Sequence, residues 1–289
     1  METVGPEAGA VRLSLWTTYE MRTRLVPGGP RGPFSGRRDS DFESTTRRHI
    51  LSGEYGLTES ISILGEMSYV FIDTDLPEGR FSTEGLGDTS LLGRFTFTAI
   101  PHEHVDGEEL GPFGLHFGPG RVAIAAGLSF PTGEPERSAT SGEPIPNSAL
   151  QTGTGTFDPL VSAAFSQSVE TGSVFAGLSV RIPGGENRFD YETGAAFHST
   201  LGGTIPASDD VEIVPKLAYL YARPDEFEGK STFASGGHVV SIVPGVRIAL
   251  DDGKKAHLEL AVDVPVYRDF RTESLQPIAR FEAGITFRF

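Results

Sequence analysis

The chain has 289 residues, and its 24 basic and 39 acidic side chains leave a net charge of −15, a balance that argues against nucleic acid as a partner. It has no cysteine, so disulfides, thiolate metal sites and thiol nucleophiles are excluded. No apolar run reaches the roughly 18 residues a membrane-spanning helix needs, whereas a barrel strand crosses with about 9–11 residues of which alternate ones are apolar. The opening METVGPEAGA has neither the basic nor the apolar region of a leader; for an exported protein the expectation is a leader already removed, with Met1 standing in its place.

Val11, Leu13, Leu15, Thr17, Tyr19 and Met21 form one face of a first strand, and Arg12, Ser14, Trp16, Thr18, Glu20 and Arg22 form the other. Segment 25–41 is rich in Gly, Pro and Arg and reads as a long loop. A second strand over about 42–56 turns at Tyr55–Glu59 into a third, which carries Ile61, Ile63, Gly65, Met67, Tyr69 and Phe71 on one side. A loop over 73–84 leads to a fourth strand at Gly87–Ile100. The connection at 101–119 is long and acidic. A fifth strand covers Arg121–Pro131, and a polar loop spans 132–154. The sixth strand starts near Thr156 and turns at 169–172 into a seventh, with Val174, Ala176, Leu178, Val180 and Ile182. Residues 183–187 turn again into an eighth strand assigned Phe189, Tyr191, Ala195 and Phe197. A ninth carries Val211, Ile213, Leu217, Tyr219 and Tyr221, and a charged loop at 224–236 precedes a tenth at about 238–250. Asp251-Asp252-Gly253-Lys254 is a strong hairpin signal. The eleventh strand shows Leu258, Leu260, Val262, Val264 and Val266, and the last starts near Pro277.

The closing FEAGITFRF alternates Phe281, Ala283, Ile285, Phe287 and Phe289 with Glu282, Gly284, Thr286 and Arg288, a period-two strand with one apolar and one wet face. About twelve strands result, an even number, all joined as neighbouring hairpins. Connections after odd strands are mostly long and those after even strands mostly short, the asymmetry of outer-membrane barrels; 101–119 and 183–188 depart from it. No helix of useful length and no second domain is visible, so residues 1–289 are expected to form a single barrel domain with long loops at about 25–41 and 132–154.

A soluble barrel also alternates, but turns its apolar face inward. In a membrane the sense reverses, because lipid must meet apolar side chains and every backbone group must pair within a closed sheet. Twelve uniform strands would make a soluble barrel too wide for its side chains to fill. Aromatic residues gather at strand ends (Trp16, Tyr19, Tyr55, Tyr69, Phe71, Tyr219, Tyr221, Phe287, Phe289), as an interfacial girdle requires. The reading is an all-β, closed, antiparallel up-and-down transmembrane β-barrel of about twelve strands. The final strand ending on Phe also resembles the carboxy-terminal signal of bacterial outer-membrane barrels.

Four blocks, GLTESISILGEMSYVF (56–71), GLGDTSLLGRF (85–95), AAGLSFPTGE (125–134) and TGTGTFDPLVSAAFSQSV (152–169), follow one another in order. Together with the later stretches they resemble the outer-membrane barrel family labelled MetA-pathway of phenol degradation, over most of residues 50–289. Gly-Leu-Gly-Asp and Gly-Thr-Phe-Asp-Pro are the most specific elements. The resemblance implies a bacterial outer-membrane channel for passive uptake of small, often aromatic or hydrophobic solutes. It supplies no catalytic residue and no cofactor.

If the apolar faces meet lipid, the lumen is lined by Arg12, Glu20, Arg22, Arg48, Glu54, Glu66, Arg94, Asp158, Arg181, Lys216, Glu259, Asp263, Glu282 and Arg288. Mixed charges across a lumen can set a transverse field for polar solutes, and equally they can pair and fill the interior. Asp88 and Asp158 lie in the family-like blocks, where a carboxylate can also cap backbone amides. Arg24, Arg31, Arg37 and Arg38 give the first loop a basic character suited to lipopolysaccharide phosphates or an anionic solute. His102 and His104 with Glu103, Asp106, Glu108 and Glu109 have metal-ligand types, but without a second cluster they read as an acidic turn, and no metal site is expected. His198-Ser199 cannot be a catalytic pair, since neighbours on a strand face opposite sides. Two rivals to the channel remain: a structural barrel that sheathes or anchors a periplasmic redox partner at the acidic 101–119 connection, and a lipid-modifying barrel enzyme.

Overall fold

The computed structural model describes residues 7–26, 37–76, 79–100, 117–134, 151–232, 235–270 and 275–289. Its strands in chain order are β1 Val11–Val26, β2 Arg37–Gly56, β3 Ile61–Leu76, β4 Gly79–Leu86, β5 Thr89–Ile100, β6 Phe117–Phe130, β7 Asp158–Val169, β8 Gly172–Arg181, β9 Tyr191–Glu192, β10 Ala196–Pro206, β11 Val211–Ile213, β12 Lys216–Ala222, β13 Glu226–Phe227, β14 Lys230–Ser231, β15 Gly237–Val243, β16 Gly245–Ala249, β17 Ala256–Phe270 and β18 Leu275–Arg288. Each pairs antiparallel with its neighbours, and the sheet closes where β1 meets β18, from Arg12 opposite Arg288 to Arg24 opposite Leu275. Because β4/β5, β11/β12 and β15/β16 are each one pass interrupted, and β9, β13 and β14 form a separate small sheet, the barrel has twelve spanning strands.

The interruptions have local causes. Leu86 lies opposite Tyr69 while Ser90 lies opposite Glu66, so β4/β5 has one residue more than β3 across that interval. This is a bulge at Gly87–Asp88, and it switches the outward residues from even to odd numbers. A Cβ at Gly87 would lie 2.2 Å from Ser68 Oγ and 3.3 Å from Thr152 O, so any larger residue in the bulge would have to displace Ser68. The breaks at Pro215 and Pro244 follow from the missing amide of proline. Their carbonyls still accept, from Gly203 N (3.2 Å) and Val262 N (3.1 Å), and Val214 N donates to Gly245 O (2.8 Å), so the wall stays continuous.

Outside, the alternation presents Leu13, Leu15, Leu51, Leu91, Phe95, Ile124, Leu201, Ile242 and Phe281, all exposed. Inside, Ser14 and Thr286 are buried and hydrogen-bonded to each other at 2.8 Å. An apolar outer surface around a polar interior is the polarity of a membrane barrel, and the described residues are all strand, turn or irregular. Aromatic rings edge the outer belt: Tyr69 and Phe71 have centroids 5.0 Å apart, Phe130 and Phe157 5.8 Å, and Tyr219 sits beside Phe197 and donates to or accepts from His238 Nδ1 at 2.7 Å.

Several expectations are corrected. Trp16 does not join the outer girdle: its ring stacks against the lumenal side of Gly284, where a Cβ would lie 2.3 Å from the indole. The loop expected at 25–41 is shorter, because Leu25 and Val26 pair with Arg38 and Arg37. The loop expected at 73–84 is a hairpin in which β4 pairs with the upper part of β3. Phe189 and Tyr191 are not on the wall of an eighth pass; both are buried, and that pass begins only at Ala196. Since β8 ends at Arg181, the connection at 182–195 is long, and the departure from rim asymmetry expected at 183–188 disappears. The hairpin expected at 251–254 is present, with Lys254 N donating to Asp251 O at 3.0 Å and Lys254 taking the positive φ.

Candidate functional site: the barrel lumen

The inward side chains form three tiers. Nearest the short-turn rim, Glu54 lies between Arg12, 3.2 Å away, and Arg94, with which it is in direct contact, and it accepts from Ser62 Oγ at 2.6 Å. On the facing wall Glu259 binds Lys216 (2.9 Å) and Arg247 (3.1 Å), and Arg247 also reaches Glu212 (3.2 Å). Apart from Glu212, whose side chain is 41% exposed, these residues are enclosed among themselves, and none of them lines the cavity above.

The middle tier is a cavity of about 590 Å³, in the size range of small-molecule sites. Its lining is divided. Glu20 and Arg22 on β1, Arg48 on β2, Glu66 on β3 and Arg280 on β18 make one wall polar. Ala196 on β10, Ala218, Leu220 and Ala222 on β12 and Val239 on β15 make the other largely apolar, with His198 on β10 and Ser241 on β15 as the polar groups among them. In a twelve-strand ring the second and eighth passes are diametrically opposed, so Arg48 looks across the cavity at the wall formed by β10 and β12. Glu20 is bonded to Arg22, while Arg280 joins Asp263 (3.0 Å) and Glu282 (2.8 Å).

The upper tier is a polar cap. Asp88, from the β4/β5 bulge, accepts from Gly133 N (3.1 Å), Thr154 N (2.7 Å) and Thr154 Oγ1 (2.8 Å), tying the segments at 131–134 and 151–157 to the wall. Buried Asp158 accepts from Thr156 Oγ1 (2.6 Å), Gly184 N (3.0 Å) and Arg181 (3.2 Å), and Arg181 continues to Thr193 Oγ1 and Gly194 O. Asn187 Nδ2 donates to Thr154 O at 3.0 Å, and Tyr191 donates its hydroxyl to Asp225. Gln151, Thr152 and Thr154 thereby face into the cavity.

Of the residues expected in the lumen, Glu20, Arg22, Arg48, Glu66, Asp158, Arg181 and Asp263 line the cavity, while Arg12, Arg94, Lys216, Glu259 and Glu282 belong to the ion-pair tiers around it. Asp88 and Asp158 are amide caps. Arg280 and Arg247 were not anticipated, although their numbers share the inward parity of Glu282 and Ser241. Asn187 and Asp225 carry no period-two signal, and Tyr191 fits the alternation of a wall strand that it does not join. His198 lines the cavity, whereas Ser199 lies opposite Leu178 on the outer face, so the two diverge. Arg31 and the cluster at His102 and His104 lie outside the described residues. Arg37 and Arg38 belong to β2, and among the described residues no group of three or more His, Asp or Glu could hold a metal.

No protein-family model matches the sequence, and no curated protein does. Among solved structures, an outer membrane channel from Pseudomonas putida aligns over 100% of this chain and 98% of its own, with a TM-score of 0.71 and 14% identity. The two chains share one fold. The match agrees, at the level of fold, with the resemblance carried by the sequence blocks. The β domain of the Bordetella autotransporter BrkA (TM-score 0.47, 11% identity, 98% and 100% covered) and the Ralstonia pickettii toluene transporter TbuX (0.46, 9%, 97% and 89%) align more loosely.

Proposed function

We propose that this chain is a bacterial outer-membrane channel passing small, largely apolar organic solutes by passive diffusion. The observation that carries the reading is the divided cavity: space for one small molecule with a largely apolar wall, broken by His198 and Ser241, facing a charged one. Such a lumen wets a solute's polar edge while sheltering its body, which a uniformly charged porin interior does not do. The inverted polarity of the wall supports the membrane location, and the fold shared with a Pseudomonas putida outer membrane channel supports the bacterial outer membrane. The lumen-lining charges are then positioning groups, most of them occupied with one another. The inward-held cap makes the route narrow and selective for size.

The test is reconstitution of the full chain into liposomes and planar bilayers. Toluene is expected to enter protein-bearing vesicles several times faster than protein-free ones, and single-channel conductance is expected to be small. Absence of both toluene entry and conductance, in a barrel shown to be folded, would defeat the reading.

A further inference from the structure

The outer wall carries a cation where lipid is expected. Arg47 on β2 has the outward parity of Thr45 and His49, opposite Tyr19 on β1 and Phe71 on β3. Its side chain is exposed, and its guanidinium carbon lies 5.6 Å from the centroid of Phe71. His49 meets the same ring edge-on at 5.8 Å and hydrogen-bonds Thr17 Oγ1 at 2.9 Å, and Tyr69 completes the frame. Outward carboxylates stand on the same strand and on its neighbours. Glu43, Asp73 and Asp75 lie nearer the long-loop rim and Glu84 lies opposite Phe71; Asp73 is engaged by Arg80 at 3.5 Å. Among the described residues none is within ion-pair range of Arg47.

A guanidinium on a lipid-facing surface is costly unless it lies at the headgroup level and meets an anion there. The aromatic residues around Arg47 mark that level, and stacking on Phe71 holds the fork open for bidentate contact with a phosphate. On a wall of the polarity described above, the anion available at the long-loop rim is the headgroup of an outer-leaflet lipid. We infer that Arg47, framed by Tyr19, His49, Tyr69 and Phe71, is a binding site for the phosphate of a phosphorylated glycolipid, whose acyl chains lie along the apolar wall below. The site is independent of what passes through the lumen.

The experiment uses the full chain in detergent, incubated with diphosphoryl lipid A, the same lipid dephosphorylated, or inorganic phosphate, with bound lipid read by native mass spectrometry. Heat-modifiable gel mobility shows that each variant is folded. Diphosphoryl lipid A is expected to be retained by the wild type and by Arg80→Leu, and about tenfold less by Arg47→Leu. Arg47→Lys should retain part, since an ammonium supplies charge without the fork; Arg47→Gln replaces Arg47→Leu if the latter does not fold. The dephosphorylated lipid should not be retained selectively, and inorganic phosphate should not compete. Equal retention by wild type and Arg47→Leu, an equal loss in Arg80→Leu, or full competition by inorganic phosphate would each overturn the assignment.

Discussion

Asp88 ties the cap to the wall, because its two oxygens take three donors from two segments that are otherwise irregular. Hydrogen bonds to a charged acceptor are stronger than neutral ones, and their loss leaves donors unmatched. Asp88→Ala is expected to cost about 2–4 kcal/mol, lowering the thermal midpoint, and to raise single-channel conductance as 151–157 loosens; a variant with unchanged melting and conductance would show that the cap is held elsewhere. Glu54 is the matching case at the other rim, its side chain only 5% exposed between Arg12 and Arg94. Removing one partner of a buried charge cluster leaves the others uncompensated, so Glu54→Ala should destabilise by about 3–5 kcal/mol in urea unfolding. An equivalent loss in Arg12→Ala alone would argue against two arginines sharing one carboxylate. Glu54 is legible as an inward residue by parity, whereas Asp88 stands out only by its sequence block, since parity reverses at its bulge. Their partners are not legible, because parity gives a face and not the distance between strands far apart in sequence.

At the level of elements, the period-two pattern placed each long strand, since only one face can meet lipid and a one-residue slip would turn every side chain over. It failed where that constraint lapses. Phe189 and Tyr191 are apolar and alternate, yet they are buried under the cap rather than on the wall. The bulge at Gly87–Asp88 reverses parity within one pass, and the hairpin continuing β3 into β4 mixes polar and apolar residues on both faces, so alternation gives no sign of it. Trp16 shares the even, lumenal parity of Ser14 and Glu20, and for an aromatic residue on a barrel strand face decides over type. Its packing makes a specific prediction: Gly284→Ala forces a methyl into the indole and should cost about 1–3 kcal/mol. The same substitution in a Trp16→Leu background should cost much less, a non-additivity that a double-mutant cycle in unfolding experiments measures. Additive effects would mean that the two residues are not in contact.

For the whole molecule, the net charge of −15 is not spread evenly between the surfaces. Inside, carboxylates are matched by arginines in compact clusters, and outside the belt is apolar. The sequence blocks that suggested a channel family pointed to the same fold that the aligned solved structure has, while the arrangement of the cavity walls was legible only once opposite passes could be placed across from each other. The seam, finally, joins the two ends of the described chain: Val11 N donates to Phe289 O at 3.2 Å and Phe289 N to Val11 O at 2.9 Å. Pairing across so long a stretch carries the largest loop-closure entropy of any contact in the sheet. Until β18 arrives, β1 and β17 are both open edges able to template other chains, so the last strand doubles as the molecule's protection against self-association. A chain shortened before Leu275 would then be recovered as oligomers through these edges, and one with its ends linked and reopened at the Glu170–Thr171 turn should close as readily as the natural order.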